Sequence, residues 1–252
     1  DWEAVIVQSA YTLIHLVIYV ILLFRTGTDL NKAVFTDKDK DYTYLIWTHS
    51  LFALTFITYF IAANKRPGCI IRSKHCKRCN ACILKYDHHC FFIGQCVGLH
   101  NHKAFCLFLL VQTLLLALGF QITLSGIHSA ESPMDWVKAN IAMWLPTVLT
   151  FASSFMPFGL LCYHIYLIVT NQTSWEAQKY DRITYLKRCK GMPYPFSKGV
   201  TKNIASFWTE NKGSPYWTLP SPADIQRYKD DKKRRTQTWL YRLWKNEYYS
   251  CC

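Results

Sequence analysis

Residues 69–105 read CIIRSKHCKRCNACILKYDHHCFFIGQCVGLHNHKAF. Cys76, Cys79 and Cys82 form a C-x2-C-x2-C run with His75 directly before it, followed by Asp87-His88-His89-Cys90 and then Cys96. Soft thiolate and borderline imidazole donors at this spacing suit a tetrahedral zinc ion, which needs four Cys or His ligands brought together by tight turns. Cys76, Cys79, Cys82, His75, His89 and Cys96 make up the natural ligand set. A short, Lys-rich stretch has little apolar core to offer, so cysteines that merely pack are a poor account, and a structural metal supplies the missing folding energy.

Outward from this stretch the chain turns apolar. Runs at Ala4–Phe24, Tyr44–Ala63, Ala104–Ile127 and Ile141–Val169 contain no Lys, Arg, Asp or Glu. Each reaches the roughly 20 residues that a helix needs to cross about 30 Å of hydrocarbon. The expected fold is therefore an all-α integral membrane protein. Four transmembrane helices carry a zinc-binding cysteine-rich domain between the second and third, and a C-terminal tail follows the fourth. Acidic Asp1 and Glu3 precede the first run where a signal peptide would carry Lys or Arg, so that run reads as a retained span. The expected divisions are 1–63, 64–104, 105–170 and 171–252.

Charge orients the spans. Residues 64–103 carry eight Lys/Arg against one acid and residues 170–252 carry sixteen against seven, whereas loop 25–43 has four of each and loop 128–140 has one Lys against two acids. The positive-inside rule puts the cysteine-rich insert and the tail in the cytosol. Thiols there are kept reduced, which favours metal binding or catalysis over disulfides. The formal net charge of +13 fits anionic lipid headgroups or a negatively charged cofactor. It does not point to nucleic acid, because the charge flanks spans and no recognition motif accompanies it. Within the spans stand Gln8, His15, His49, Gln112, Gln121, Ser153, Ser154 and His164, most of which are read as hydrogen-bonding partners between helices, and Pro146 and Pro157 are expected to kink the fourth. No acidic pathway for an ion pump is visible.

Cys90 admits two readings. An adjacent histidine can take a thiol's proton while an acid orients that histidine, and Asp87, His88 and Cys90 offer all three roles within four residues. A further metal ligand is the equal alternative from local sequence.

The segment RSKHCKRCNACILKYDHHC, with Cys96-Val97-Gly98, Asn101 and Phe105 after it, resembles the cysteine-rich domain of the DHHC protein S-acyltransferases, the integral membrane palmitoyltransferases. Thr173-Ser174-Trp175-Glu176 is similar to that family's Thr-Thr-x-Glu motif, and Gly199, Asn203, Ile204 and Phe207 resemble a short patch in its tail. The resemblance implies that Cys90 becomes acylated, with His88 as base and Asp87 orienting it. It implies two structural zinc sites, one of Cys76, Cys79, His89 and Cys96, the other including His75 and Cys82. The family's upstream Cys-x2-Cys pair is absent, so the second site is either lost or completed by Cys69 with another group. Phe91-Phe92 replaces the commoner Pro-Trp. The implied reaction moves a palmitoyl group from palmitoyl-CoA to juxtamembrane cysteines of protein substrates, at a Golgi or endoplasmic reticulum membrane. The alternatives are a catalytically silent zinc-binding scaffold of the same fold and a zinc-sensing or zinc-carrying membrane protein. Lys229–Arg235 reads as a solvated charged stretch. Trp239, Leu240, Leu243 and Trp244 suit an interfacial helix or a packing surface, and Cys251 and Cys252 are possible acylation sites.

Overall fold

The computed structural model describes residues 2–25, 27–36, 42–64, 72–210 and 217–236. Cys69, the Trp239–Trp244 helix and Cys251 and Cys252 lie outside the described residues. Four long helices dominate: α1 (Trp2–Phe24), α2 (Tyr42–Asn64), α3 (His102–Ser125) and α4 (Pro133–Thr170). All four are long and apolar enough to cross a membrane, and they make the protein an integral membrane protein. Their outward faces carry the apolar side chains expected against lipid, such as Leu13, Ile46, Leu114 and Phe155.

The sequence runs locate the spans to within a few residues except at α4. That helix has 38 residues, about 57 Å at 1.5 Å per residue, longer than the hydrocarbon core. Pro146 and Pro157 both sit inside it, and the helix continues unbroken through each. Pro146 lacks an N–H to give, while its carbonyl accepts from Thr150 Oγ1 at 2.8 Å.

Several of the polar residues inside the spans, His15, His49 and Gln112 among them, pair across helices, as expected, whereas Ser154 donates to the Phe151 carbonyl of its own helix. Tyr11 O–H donates to Gln112 Oε1 at 2.6 Å, Gln112 Nε2 donates to His15 Nε2 at 3.0 Å, and His15 Nδ1 donates to the Tyr11 carbonyl at 2.9 Å. Tyr19 O–H donates to His49 Nε2 at 2.6 Å. Where lipid offers no water, such closed circuits are how a polar side chain is kept.

The all-α expectation omits one feature. Between α2 and α3 the cysteine-rich insert folds as two antiparallel hairpins. Strand β1 (Lys74–Cys76) pairs with β2 (Ala81–Ile83), and β3 (His88–Cys90) pairs with β4 (Gln95–Val97). Each strand has three residues, too short for a period-two signal to stand out in sequence. Asn80 and Lys85 take left-handed backbone at φ 45°, as turns between such short strands require.

The chain divides into two compact units, residues 1–166 and 167–252. The first holds the spans and the insert. In the second, α5 (Ser174–Lys179) starts on a capping box: Thr173 Oγ1 accepts from Glu176 N at 3.2 Å and Glu176 Oε2 accepts from Thr173 N at 3.0 Å. Helix α6 (Val200–Thr209) follows, and its Asn203 donates to the Val169 carbonyl at 2.7 Å and to Ser197 Oγ at 2.8 Å. The two short motifs noted after the fourth span are therefore capping and anchoring devices of this unit. Lys229–Arg235 falls on α7 (Pro222–Thr236), a largely exposed polar helix.

Candidate active site and metal cluster

The hairpin register builds the metal cluster. His89 stands directly opposite Cys96 across β3–β4, and the turn after β1 brings Cys79 back toward Cys76. His89 Nδ1 lies 3.6 Å from Cys76 Sγ, 3.3 Å from Cys79 Sγ and 3.5 Å from Cys96 Sγ, and Cys79 Sγ lies 3.5 Å from Cys96 Sγ. All four ligand atoms fall within 4.8 Å of one another. Tetrahedral coordination at zinc bond lengths puts ligand atoms about 3.6–3.8 Å apart, so the donor set fits such an ion with little adjustment. Burial, then the neighbouring Cys76 and Cys79 thiols, push the Cys96 thiol up. Three thiolates crowded together thus need a compensating cation. Tyr86 stands under the cluster with the Lys74 ammonium 4.7 Å from its ring centroid.

His75 and Cys82 are likewise paired across β1–β2, with Cys82 Sγ 3.7 Å from His75 Nδ1. They meet each other and do not join the four-residue cluster, in keeping with a separate site. Cys69, its suggested completion, lies outside the described residues.

Strand alternation separates Cys90 from the four-residue cluster. Successive side chains on a strand point to opposite faces. His89 faces the metal cluster, so His88 and Cys90 face away from it together. His88 Nδ1 donates to Asp87 Oδ2 at 2.7 Å, and Cys90 is close enough to the His88 ring to raise its pKa. Asp87 is buried, and its backbone N–H is tied to the Val97 carbonyl at 3.0 Å. Burial alone would lower the His88 pKa, but the hydrogen bond to Asp87, the nearby Cys90 and the charges of both outweigh it, raising it to about 10. Burial would raise the Asp87 carboxyl, and the hydrogen bond from His88 reverses this, holding it well below the usual carboxylate range. Asp87, His88 and Cys90 therefore form one array, in which His88 is placed to take up the proton of the Cys90 thiol.

Cys90 is 5% exposed and packs with Tyr59, Ile93, Val97 and Phe105. It opens on a cavity of about 550 Å³ that runs between the spans and is walled by Tyr11, Leu109, Leu116, Ile122 and Leu160. That volume is in the usual range of about 300–1,000 Å³ for a ligand cleft, and the lining is apolar almost throughout. Phe91 and Phe92 stand at its mouth beside Cys90, both more than half exposed.

What fixes the insert to the spans is a feature that sequence reading passed over. The Ala62 carbonyl belongs to the last turn of α2, where carbonyls have no partner within the helix. Asn101 Nδ2 donates to it at 3.0 Å and Gln95 Nε2 at 2.8 Å. Asn101 also donates to the Cys96 carbonyl at 2.9 Å and accepts from Gly98 N at 2.8 Å. Tyr59 O–H donates to the Phe92 carbonyl at 3.1 Å. The Asn101 partners lie up to 39 residues away in sequence, and no local pattern could have named them.

Comparison with known proteins agrees with this geometry. Residues 63–181 match the family model of the DHHC palmitoyltransferases. A Dictyostelium discoideum protein named as ZDHHC-type palmitoyltransferase 7 is 29% identical over an alignment of 407 residues, covering 100% of this chain and 91% of its own. Human palmitoyltransferase ZDHHC12 is 31% identical over 138 residues, 54% of this chain and 51% of that protein. Protein S-acyltransferase 10 of Arabidopsis thaliana is 34% identical over 133 residues, so that 53% of this chain spans 38% of it. The third and fourth spans, the cysteine-rich hairpins and the Asp87–His88–Cys90 array thus lie within residues 63–181, the part of the chain that matches the DHHC palmitoyltransferase family model.

Proposed function

We propose that the chain is a protein S-acyltransferase that moves a palmitoyl group from palmitoyl-CoA to cysteine thiols of other proteins through an S-acyl-Cys90 intermediate. The observation that carries this reading is the placement of the Cys90 thiol between the Asp87–His88 pair and the mouth of the apolar cavity. Transfer from water into such a cavity favours an acyl chain by about 0.8 kcal/mol per methylene. Basic residues of the insert, Lys77, Arg78 and Lys103 among them, supply attraction for the phosphates of CoA on the cytosolic face that the charge asymmetry favours.

His88 holds the proton that leaves the Cys90 thiol. The thiolate attacks the thioester carbonyl, an S–C bond forms to Cys90, the C–S bond to CoA breaks, and the proton goes to the departing CoA sulfur. In the second half, the thiol of an acceptor cysteine attacks the acyl-Cys90 thioester, and its proton passes through His88 to Cys90. Acceptors are juxtamembrane cysteines of proteins held at the same bilayer, since Cys90 sits where the insert meets the spans.

Cys76, Cys79, His89 and Cys96 would hold a structural zinc ion, with His75 and Cys82 contributing to a second site. A fully Cys/His-ligated zinc supplies folding energy and leaves no open position for substrate. The insert at 64–104 is the chemical module, 1–63 and 105–170 contribute the spans, and 171–252 is the cytosolic region. A Golgi or endoplasmic reticulum membrane is the setting that the family likeness suggests.

Incubating the purified protein with labelled palmitoyl-CoA tests the reading. A hydroxylamine-sensitive label is expected, lost in Cys90→Ser. An unlabelled protein that retains its full metal content would favour the silent scaffold instead.

A further inference from the structure

Two buried histidines are not used by the reaction as described. His102 opens α3 and His164 lies deep in α4, at 4% and 1% exposure. His102 Nε2 and His164 Nδ1 are 2.9 Å apart, a hydrogen bond in which one ring donates and the other accepts. The pair sits against the Asp87–His88 array. One ring nitrogen of His164, an oxygen of Asp87 and a nitrogen of His88 all fall within 4.8 Å of one another. Phe105 fills the space beside them, edge-on to His88 at 5.6 Å and to His164 at 5.2 Å between centroids.

A hydrogen-bonded histidine pair between two spans would serve packing alone if it stood anywhere else in the bundle. Here it borders a buried carboxylate whose orientation fixes His88. A histidine ring has two distinct nitrogens, so the bond one makes determines what the other can offer. His102, by engaging His164 Nδ1, leaves His164 one nitrogen and one ring orientation with which to meet its surroundings.

We infer that His164, fixed by His102, is a positioning residue for the Asp87–His88 pair, so that the fourth span sets the geometry in which His88 meets Cys90. The inference rests on the acyltransferase reading. It names the two histidines as acting together on the rate of Cys90 acylation and not on the binding of palmitoyl-CoA. The same two rings with Cys106 could instead hold a metal ion, since their ligand atoms also cluster within 4.8 Å. The short contact between two of the three is what a shared proton produces, which favours the hydrogen-bonded pair.

The test uses the full chain in nanodiscs and follows single-turnover labelling of Cys90 by palmitoyl-CoA, with zinc content and thermal unfolding measured in parallel. His164→Leu is expected to slow acylation roughly ten- to hundredfold, as a small misplacement of reacting groups does, with the apparent KM for palmitoyl-CoA unchanged. His164→Gln, whose amide falls near where Nε2 lies, is expected to recover part of the lost rate, whereas His164→Asn, which keeps only an amide at the Nδ1 position, is expected to recover little. His102→Leu should slow acylation similarly, and the double Leu variant should be no slower than the worse single, because the two act as a unit. A folded His164→Leu that labels as fast as wild type overturns the inference, and so does multiplication of the two single losses. Loss of metal from His164→Leu overturns it in favour of a metal site. A wild type that takes no label overturns the acyltransferase reading and this inference with it.

Discussion

His89 and Cys90 are neighbours in sequence and belong to opposite faces of one short strand. His89 sits among the three thiols of the metal cluster, 3.3–3.6 Å from each. Cys90 is turned into the apolar core beside the cavity. The cluster can therefore hold the thiol in place without binding it.

Separation of the two faces predicts separable variants. Cys90→Ser should keep the wild-type metal content. His89→Ala should lose metal and, with it, Cys90 labelling, since metal affinity in such a site is folding free energy. Treatment with a strong chelator should act as His89→Ala does. Metal analysis beside labelling checks both, and a Cys90→Ser protein depleted of metal would make Cys90 a ligand.

Asn101 has no exposed surface and ties the end of α2, the β3–β4 hairpin and the start of α3 together. Asn101→Leu leaves buried backbone groups without partners at a cost of about 2–5 kcal/mol. A clear drop in thermal stability is expected, with labelling lost in proportion to the unfolded fraction. Unchanged unfolding would remove Asn101 from the account.

Gly98 is required by space. A Cβ there would lie 2.7 Å from the Leu84 carbonyl oxygen and 2.8 Å from Ile83 Cγ2. Both belong to the segment supporting the cluster, so neither can yield cheaply. Gly98→Ala should cost about 1–3 kcal/mol as an overpacked core does, read as a lowered unfolding temperature.

An ordinary imidazole near pKa 6.5 would give acylation an acid limb in that region. Asp87 and Cys90 raise His88 to about 10 instead. A raised pKa means the fold favours the protonated ring. The stability it contributes is therefore full below about 6.5 and is lost as pH rises through about 10. The stability difference between wild type and His88→Gln should shrink from pH 7 toward pH 10, measured by thermal unfolding. A constant difference over that window would show that His88 carries no such proton.

The four spans were legible because twenty uncharged apolar residues have few other uses, and the Cys76, Cys79, His89 and Cys96 cluster because its spacing is rarely met by chance. That Cys90 faces away from this cluster was not legible in the local sequence, since three-residue strands leave no periodic trace and only alternation along β3 separates His89 from Cys90. Asn101 and the His102–His164 pair were equally hidden. Their partners lie 39 and 62 residues away, and only the packing of α2, α3, α4 and the insert brings them into reach. His164 stood out as a polar residue within a span, which named it without saying what it meets.

Cys90, and none of the clustered cysteines, is the residue proposed to carry the acyl group. Peptide mass spectrometry of the full chain after a single turnover with palmitoyl-CoA, with and without hydroxylamine, tests it most directly. A palmitoyl mass is expected on the peptide containing Cys90, removed by hydroxylamine and absent from Cys76, Cys79 and Cys96. A label on those cysteines with Cys90 bare, or none on a protein with its metal intact, would contradict it.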